Sequence, residues 1–415
     1  MAILDLDSLS QTLRQHQSQL PLLAAGLAYV GLTLALRARS ATLSQDAKIT
    51  FSPKRTLLPQ LSEQEAADLP YPPDVLPGAR DVDSPYGSLR VYEWGPEDGR
   101  KVLMVHGIST PCISLGGVAH GLVDKGCRVM LLDLWGRGYS DSPLNVPQDT
   151  RLFTTAILLA LTTSPLPWTG SSTFALVGYS LGGGITASFT SHFPTLVSSL
   201  ILLAPAGLLR AHHINRTNKF LFSTGLVPER VLERIIRKRL QGGPSTAMVV
   251  KSSEGSAKTA GDAVTEELPK VPNQEGGSLD NTVLSKSRPH ITVAAAVAWQ
   301  AQFHEGFIKS FISSIRYGPV VNQQSDWKRI GARLAAKNAS TEERYEREGL
   351  QHGKVLIICG ETDPVIVKGE LMEDATEVLG ENCVCFKSCD TGHELPIVRS
   401  EMIVGQIWDF WETGS

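Results

Sequence analysis

The sequence predicts an α/β protein: a mostly parallel central sheet flanked by helices, with a helical lid insertion and an N-terminal single-pass transmembrane helix. Three observations carry that prediction. Short runs rich in Val, Ile and Leu alternate with helix-like stretches from about residue 79 onward. The stretch LVGYSLGGG, Leu176 to Gly184, sets a serine among glycines directly after one such run. The segment Leu20 to Leu36, LPLLAAGLAYVGLTLAL, contains no charged residue. Composition narrows the class further. With 20 % charged residues and a net charge of −3, the chain has neither the basic excess of a nucleic-acid binder nor an acidic solvating tail.

In chain order, residues 1–19 read as an N-terminal tail and 20–36 as the membrane anchor. At about 1.5 Å per residue the anchor forms a helix of about 25 Å, slightly short of a hydrocarbon core of about 30 Å. A secretory signal fits less well, because Asp5 and Asp7 precede the apolar run and Arg37, Arg39 and Ser40 follow it. Those two arginines, with Lys48, Lys54 and Arg55, place the downstream chain on the cytoplasmic side. Residues 37–78, rich in Pro, Ser and Gln, read as a linker wrapping the domain edge.

The strand candidates are Leu89–Trp94, Val102–His106, Arg128–Leu132, Phe174–Val177, Leu200–Leu203, Val355–Cys359 and Val384–Lys387. Most are apolar throughout and spaced widely enough for helical crossovers, the pattern of parallel strands buried on both faces. The core thus falls into two parts, 79–207 and 353–415, with a lid insertion over 208–352. Within the insertion, Pro228–Leu240 (PERVLERIIRKRL) is a basic helix. The segment at about 241–288 is full of Ser, Gly, Glu and Lys, too polar to order itself. Ile291–Ile315 carries Trp299, Phe303, Phe307 and Phe311 at helical spacing, a stripe that reads first as core packing and second as a substrate-facing lid.

Between a strand and a helix, GYSLG fits the G-x-S-x-G turn that lifts a serine hydroxyl off the sheet. Gly178 and Gly182 are there because a Cβ at either position would clash where strand and helix pack closely. A hydroxyl is a weak nucleophile without a base, and the base needs an orienting acid; for this turn the chain order is Ser, acid, His. KVLIICG leads into Glu361-Thr362-Asp363-Pro364, and NCVCFKSC leads into Asp390-Thr391-Gly392-His393-Glu394. Ser180, Asp363 and His393 therefore all fall at the C-terminal edge of the sheet, where ligands of such sheets bind. Two backbone donors complete the set: Leu181 N–H at the helix start, and Ile108 N–H in the loop Val105-His106-Gly107-Ile108, with Ser109 as the alternative.

HG after one strand, DLWGRGYSD (Asp133–Asp141) after the next, then GYSLGGG, GETDP and GHE: this series resembles the α/β-hydrolase-fold serine hydrolases from about Ala79 to Trp411. With its N-terminal apolar segment the chain is most similar to the membrane-anchored, monoacylglycerol lipase-like esterases. The resemblance implies Ser180 as nucleophile, His393 as base, Asp363 as acid and a lid after the sixth strand. It implies hydrolysis of lipid-like acyl esters such as monoacylglycerols, with a small-molecule substrate and no cofactor. The polar segment inside the insertion departs from the compact lids of that family and leaves the pocket walls undefined. An acyltransferase or thioesterase would use the same residues, and a non-catalytic membrane-anchored binding protein would use the fold alone. Cysteine spacing offers no metal site, and nothing in the sequence sets an oligomeric state.

Overall fold

The computed structural model describes residues 25–34, 48–213, 222–223, 226–240, 282–339 and 349–414. Two compact units divide the chain, Met1–Ala47 and Lys48–Ser415. In the first, residues 25–34 are helical. The rest of the expected anchor, 20–24 and 35–36, lies outside the described residues, as does the tail 1–19. Among the described residues no helix is long and apolar enough to cross a membrane.

The second unit is organised by an eight-stranded sheet in the order β10-β9-β8-β7-β4-β5-β3-β2. Its strands are β2 (Ala79–Ser84), β3 (Gly87–Trp94), β4 (Arg100–Val105), β5 (Cys127–Leu132), β7 (Phe174–Tyr179), β8 (Val197–Leu203), β9 (Val355–Gly360) and β10 (Val384–Cys389). Two-residue strands β1 (Ile49–Thr50) and β6 (Ser142–Pro143) pair separately. From β5 to β10 every pairing is parallel, and β3 is antiparallel to both its neighbours. All seven predicted strands are present. The unpredicted edge strand β2, ARDVDS, hides its character because an edge strand can carry charge: Arg90 of β3 reaches across to Asp81 at 2.8 Å.

Strands β4, β7 and β9 are buried over most or all of their length, which explains their unbroken apolar runs. Helices α1 (Gly116–Asp124), α2 (Thr150–Thr162) and α3 (Leu181–His192) flank the first part of the sheet. The insertion contributes α4 (Glu229–Leu240), α5 (Val293–Phe303), α6 (Phe307–Tyr317) and α7 (Gln324–Ala339); α8 (Lys368–Leu379) and α9 (Ser400–Thr413) complete the core.

Four expectations change. The linker over 37–78 is structured from Lys48 onward. Tyr71, Val75 and Leu76 are buried in the core, and a capping box on Ser62 and Glu65 starts a short helix. Helix α7, inside the expected lid, packs on α3 and α8 and so belongs to the layer covering the sheet. Residues 241–281 lie outside the described residues, but 282–288, read as part of the same polar loop, are packed. Leu284 and Ser285 are buried, Lys286 pairs with Asp124 and Arg288 with Asp74. These side chains find partners that no local pattern could reveal. The aromatic stripe belongs to two helices, broken at His304-Glu305-Gly306; Trp299, Phe307 and Phe311 are buried and Phe303 is exposed.

Candidate active site

Strand β7 ends at Tyr179 and α3 begins at Leu181, so Ser180 alone makes the turn. Its backbone sits at φ 52°, ψ −120°. A non-glycine residue pays about 1–3 kcal/mol for such a conformation, so the surroundings must enforce it. They do so through three backbone bonds. Ser180 N–H donates to Leu203 O at 3.0 Å, and Ser180 O accepts from Gly183 N at 2.8 Å and Ala206 N at 2.9 Å. The expected glycine clashes are real. A Cβ on Gly178 would stand 2.4 Å from Gly182 O, and one on Gly182 would stand 2.1 Å from Val105 O. Both obstacles are main chain, which cannot swing aside.

Asp363 follows β9 and His393 follows β10, at the same sheet edge as Ser180. His393 Nδ1 lies 2.8 Å from Asp363 Oδ2. The other carboxylate oxygen, Oδ1, accepts from Val365 N at 2.8 Å and Ile366 N at 2.9 Å. The Asp363 side chain is fully shielded, whereas that of His393 keeps 12 % of its surface open. Tyr179, the neighbour of Ser180, braces the imidazole: its ring lies 5.4 Å from the His393 ring and its hydroxyl donates to His393 O at 3.1 Å.

The third arm is the loop after β4. The sheet order reverses here, with β4 between β5 and β7, and a crevice opens at such a switch point. Gly107 lies so close that an added Cβ would stand 3.4 Å from Ser180 Cβ. Ile108 and Leu181 are both buried. His106 Nε2 accepts from Leu134 N at 2.9 Å, so the ring proton sits on Nδ1, which donates to Gly107 O at 2.8 Å. Burial holds this imidazole neutral, its pKa pushed down to about 3. Sequence reasoning quoted His106 only as part of a turn.

It also missed Arg137 and Gln300. Arg137, from DLWGRGYSD, is fully buried, and its bonds run to Ile108 O, Trp135 O, Gln148 Oε1 and Ser314 Oγ. Glycines around an arginine hint at a turn, but nothing local marks a buried guanidinium. Asp133, in the same motif, accepts from Cys112 N, Tyr139 N and the Tyr71 hydroxyl. Its role is to hold the turn.

Among the described residues the group with metal-ligand geometry is His212, His213 and Glu370. His213 Nε2 already lies 2.7 Å from Glu370 Oε2, and the Arg210 guanidinium is 3.7 Å from the same carboxylate. Arg210 also bonds Glu373 at 2.6 Å and Asp374 at 2.8 Å, so the group braces the end of the β8 loop against α8. The six cysteines are free, and all except the half-buried Cys385 are buried.

The fold has counterparts among known proteins. Residues 96–270 match the family model described as serine aminopeptidase, S33. A serine hydrolase-like protein of Danio rerio is 29 % identical over 134 residues, covering 30 % of this chain and 37 % of its own length. A serine hydrolase-like protein of Dictyostelium discoideum is 30 % identical over 119 residues, covering 28 % and 32 %. The chain thus spans about a third of the length of the curated relatives it matches. Among solved structures, a bromoperoxidase from Bacillus anthracis superposes with a TM-score of 0.50 at 15 % identity, covering 80 % of this chain and 99 % of that one. A carboxylesterase from Bacillus subtilis gives 0.50 at 14 % identity, covering 85 % and 96 %. The chain carries the α/β-hydrolase fold, and the first part of its core is similar to serine hydrolases of the S33 aminopeptidase family.

Proposed function

We propose that this protein is a serine hydrolase that cleaves carboxylic esters through a Ser180–His393–Asp363 acyl-enzyme mechanism. The observation that carries the reading is the strained serine turn standing at the same sheet edge as a histidine hydrogen-bonded to a shielded aspartate. Ser180 Oγ attacks the acyl carbon while His393 Nε2 takes its proton. That proton then passes to the departing alcohol, leaving the acyl group on Ser180. Asp363 fixes the proton on Nδ1 and stabilises the imidazolium. His393 next takes a proton from water, the resulting hydroxide attacks the acyl carbon, and the acid leaves with Ser180 reprotonated. The N–H groups of Leu181 and Ile108 hold the negative oxygen in both steps. The chemistry requires no cofactor.

A fluorophosphonate probe tests the nucleophile. Labelling is expected in the natural chain and absent in Ser180→Ala; labelling that survives the substitution removes Ser180 from the mechanism. The lipid-like character of the substrate is supported by the uncharged run Leu20–Leu36, since an acyl ester soluble in the bilayer would share a phase with an anchored enzyme. Membrane fractionation of the full chain against a form starting at Lys48 tests that part. The shorter form is expected in the soluble fraction with its turnover of short p-nitrophenyl esters intact. Equal partition of both forms overturns the anchor, and glycosylation of the natural chain at Asn215 overturns the cytoplasmic placement of the domain.

A further inference from the structure

The carbonyls of three consecutive residues beside Ser180 are each held by a different side chain. Gly107 O accepts from His106 Nδ1 at 2.8 Å, Ile108 O from Arg137 Nε at 3.1 Å, and Ser109 O from Gln300 Nε2 at 2.6 Å. Loop carbonyls more often bond backbone or water, so three side-chain partners in a row are a constructed arrangement. The peptide plane gives the arrangement its meaning. In a trans peptide the C=O and the next residue's N–H point in opposite directions, so fixing one oxygen aims one hydrogen. His106 thereby aims the Ile108 N–H, Arg137 the Ser109 N–H, and Gln300 the end of the loop.

Two of these supports depend on the insertion. Gln300 belongs to α5, is fully buried, and is used at both ends, its Oε1 accepting from Gly138 N at 3.1 Å. Arg137 reaches α6 through Ser314 Oγ at 2.8 Å, and Gln148, which binds the same guanidinium, is held by Ser310 Oγ at 2.8 Å. No carboxylate pairs with Arg137 among the described residues. A buried cation neutralised by a carboxylate would serve stability alone. This one is solvated by carbonyls and hydroxyls, one of them in the loop beside the nucleophile.

We propose that Arg137 and Gln300 are positioning residues for the oxyanion-stabilising loop: they fix the two peptide planes that follow the Ile108 N–H, so the insertion helices α5 and α6 hold in place the loop that carries this donor. This inference rests on the serine hydrolase reading above. It assigns the insertion a part in the chemical step, distinct from covering a substrate. A loop freed to drift by about 1 Å would cost on the order of 100-fold in the rate of the step it serves.

Gln300→Glu is nearly isosteric, keeps an acceptor for Gly138 N and replaces the amide donor to Ser109 O. Arg137→Lys keeps the charge but loses the fork that holds four groups. Each is compared with the natural chain for kcat and KM on a short p-nitrophenyl ester. Each is also measured for inhibition by a trifluoromethyl ketone, whose serine adduct places an oxyanion in the same position. The expected result is a kcat lower by about 10- to 100-fold, a KM within about threefold, and ketone affinity lost in proportion to kcat. Ser314→Ala, which removes one guanidinium partner, is expected to move both readouts the same way by a smaller factor. Variants that keep natural kcat and ketone affinity overturn the proposal, as does a lowered melting temperature with both readouts unchanged. Fluorophosphonate labelling of the natural chain separates the two claims. Failure to label overturns the hydrolase reading itself, whereas normal labelling with unaltered variant kinetics overturns only the role of Arg137 and Gln300.

Discussion

The two arms proposed to serve Ser180 are supported from different parts of the fold. On the acid–base side the supports all stand at the ends of the sheet strands. Asp363 is held by the N–H groups of Val365 and Ile366, two and three residues along the chain, and His393 rests on Asp363 and on the ring of Tyr179. On the loop side His106 is adjacent, but the other two supports are tied to the insertion: Arg137 through Ser314 of α6, and Gln300 of α5, which stands 191 residues from the Ser109 carbonyl it holds. A proton relay can be built where two strands end. Holding a loop of backbone donors requires control over whole peptide planes, and here two of the three planes are fixed by residues in or tied to the inserted helices.

The largest expected effect tests the acid–base arm. Asp363→Asn keeps the shape but disturbs the proton on His393 Nδ1, so kcat should fall by on the order of 10⁴-fold with little change in melting temperature. Loss of the fold along with activity would place Asp363 among the structural supports. Next comes the turn that both arms share. Gly182→Ala drives a Cβ into Val105 O and His106 O, both main chain, and should cost at least about 3 kcal/mol in denaturant unfolding. A variant of natural stability would mean that α3 and β4 separate more easily than their packing indicates.

The pH dependence of stability sharpens the comparison on the loop side. Burial holds His106 at about 3 and His304 at about 4, against 6.5 for an ordinary imidazole. Below pH 6.5 the unfolded chain takes up protons that the folded chain refuses, so stability should fall as pH drops toward 4. The loss is at most about 1.4 kcal/mol per pH unit for each histidine. Denaturant midpoints between pH 7.5 and 4.5 measure it. His304→Gln, which removes one of the two neutral imidazoles, should flatten the curve; an unchanged slope would show that His304 is protonated in the fold. The smallest effect belongs to Tyr179→Phe. It removes the bond to His393 O while leaving the ring contact, and should cost about two- to tenfold in kcat. A rate within experimental scatter of the natural chain would leave Asp363 as the main support of His393.

This contrast also explains what the amino-acid order revealed. Gly178, Ser180 and Gly182 were legible because they fall within five residues as one turn pattern, whose two glycines stand where main chain excludes a Cβ. Asp363 and His393 were legible because strand ends are marked by apolar runs that stop. Arg137 and Gln300 were not legible. A glycine-flanked arginine and a glutamine in VAAAVAWQAQF carry no local sign that one will meet the Ile108 carbonyl and the other the Ser109 carbonyl. Strand β2 escaped notice for a related reason, since an edge needs no alternating pattern when Arg90 and Lys54 neutralise its Asp81. The packing of Leu284 and Ser285 was hidden by polar composition on their N-terminal side, where the described residues end.

The guanidinium of Arg137 also bears on the order of events at the ribosome. Its hydroxyl partner Ser314 lies 177 positions later. At about 5–20 residues per second, that partner emerges roughly 10–35 s after the arginine does. Throughout that interval Arg137 can already meet Ile108 O, Trp135 O and Gln148 Oε1, but its Nη2 has only water to turn to. The last of the four bonds to Arg137 therefore forms only once α6 has been made, so the loop beside the nucleophile gains its full support late in synthesis.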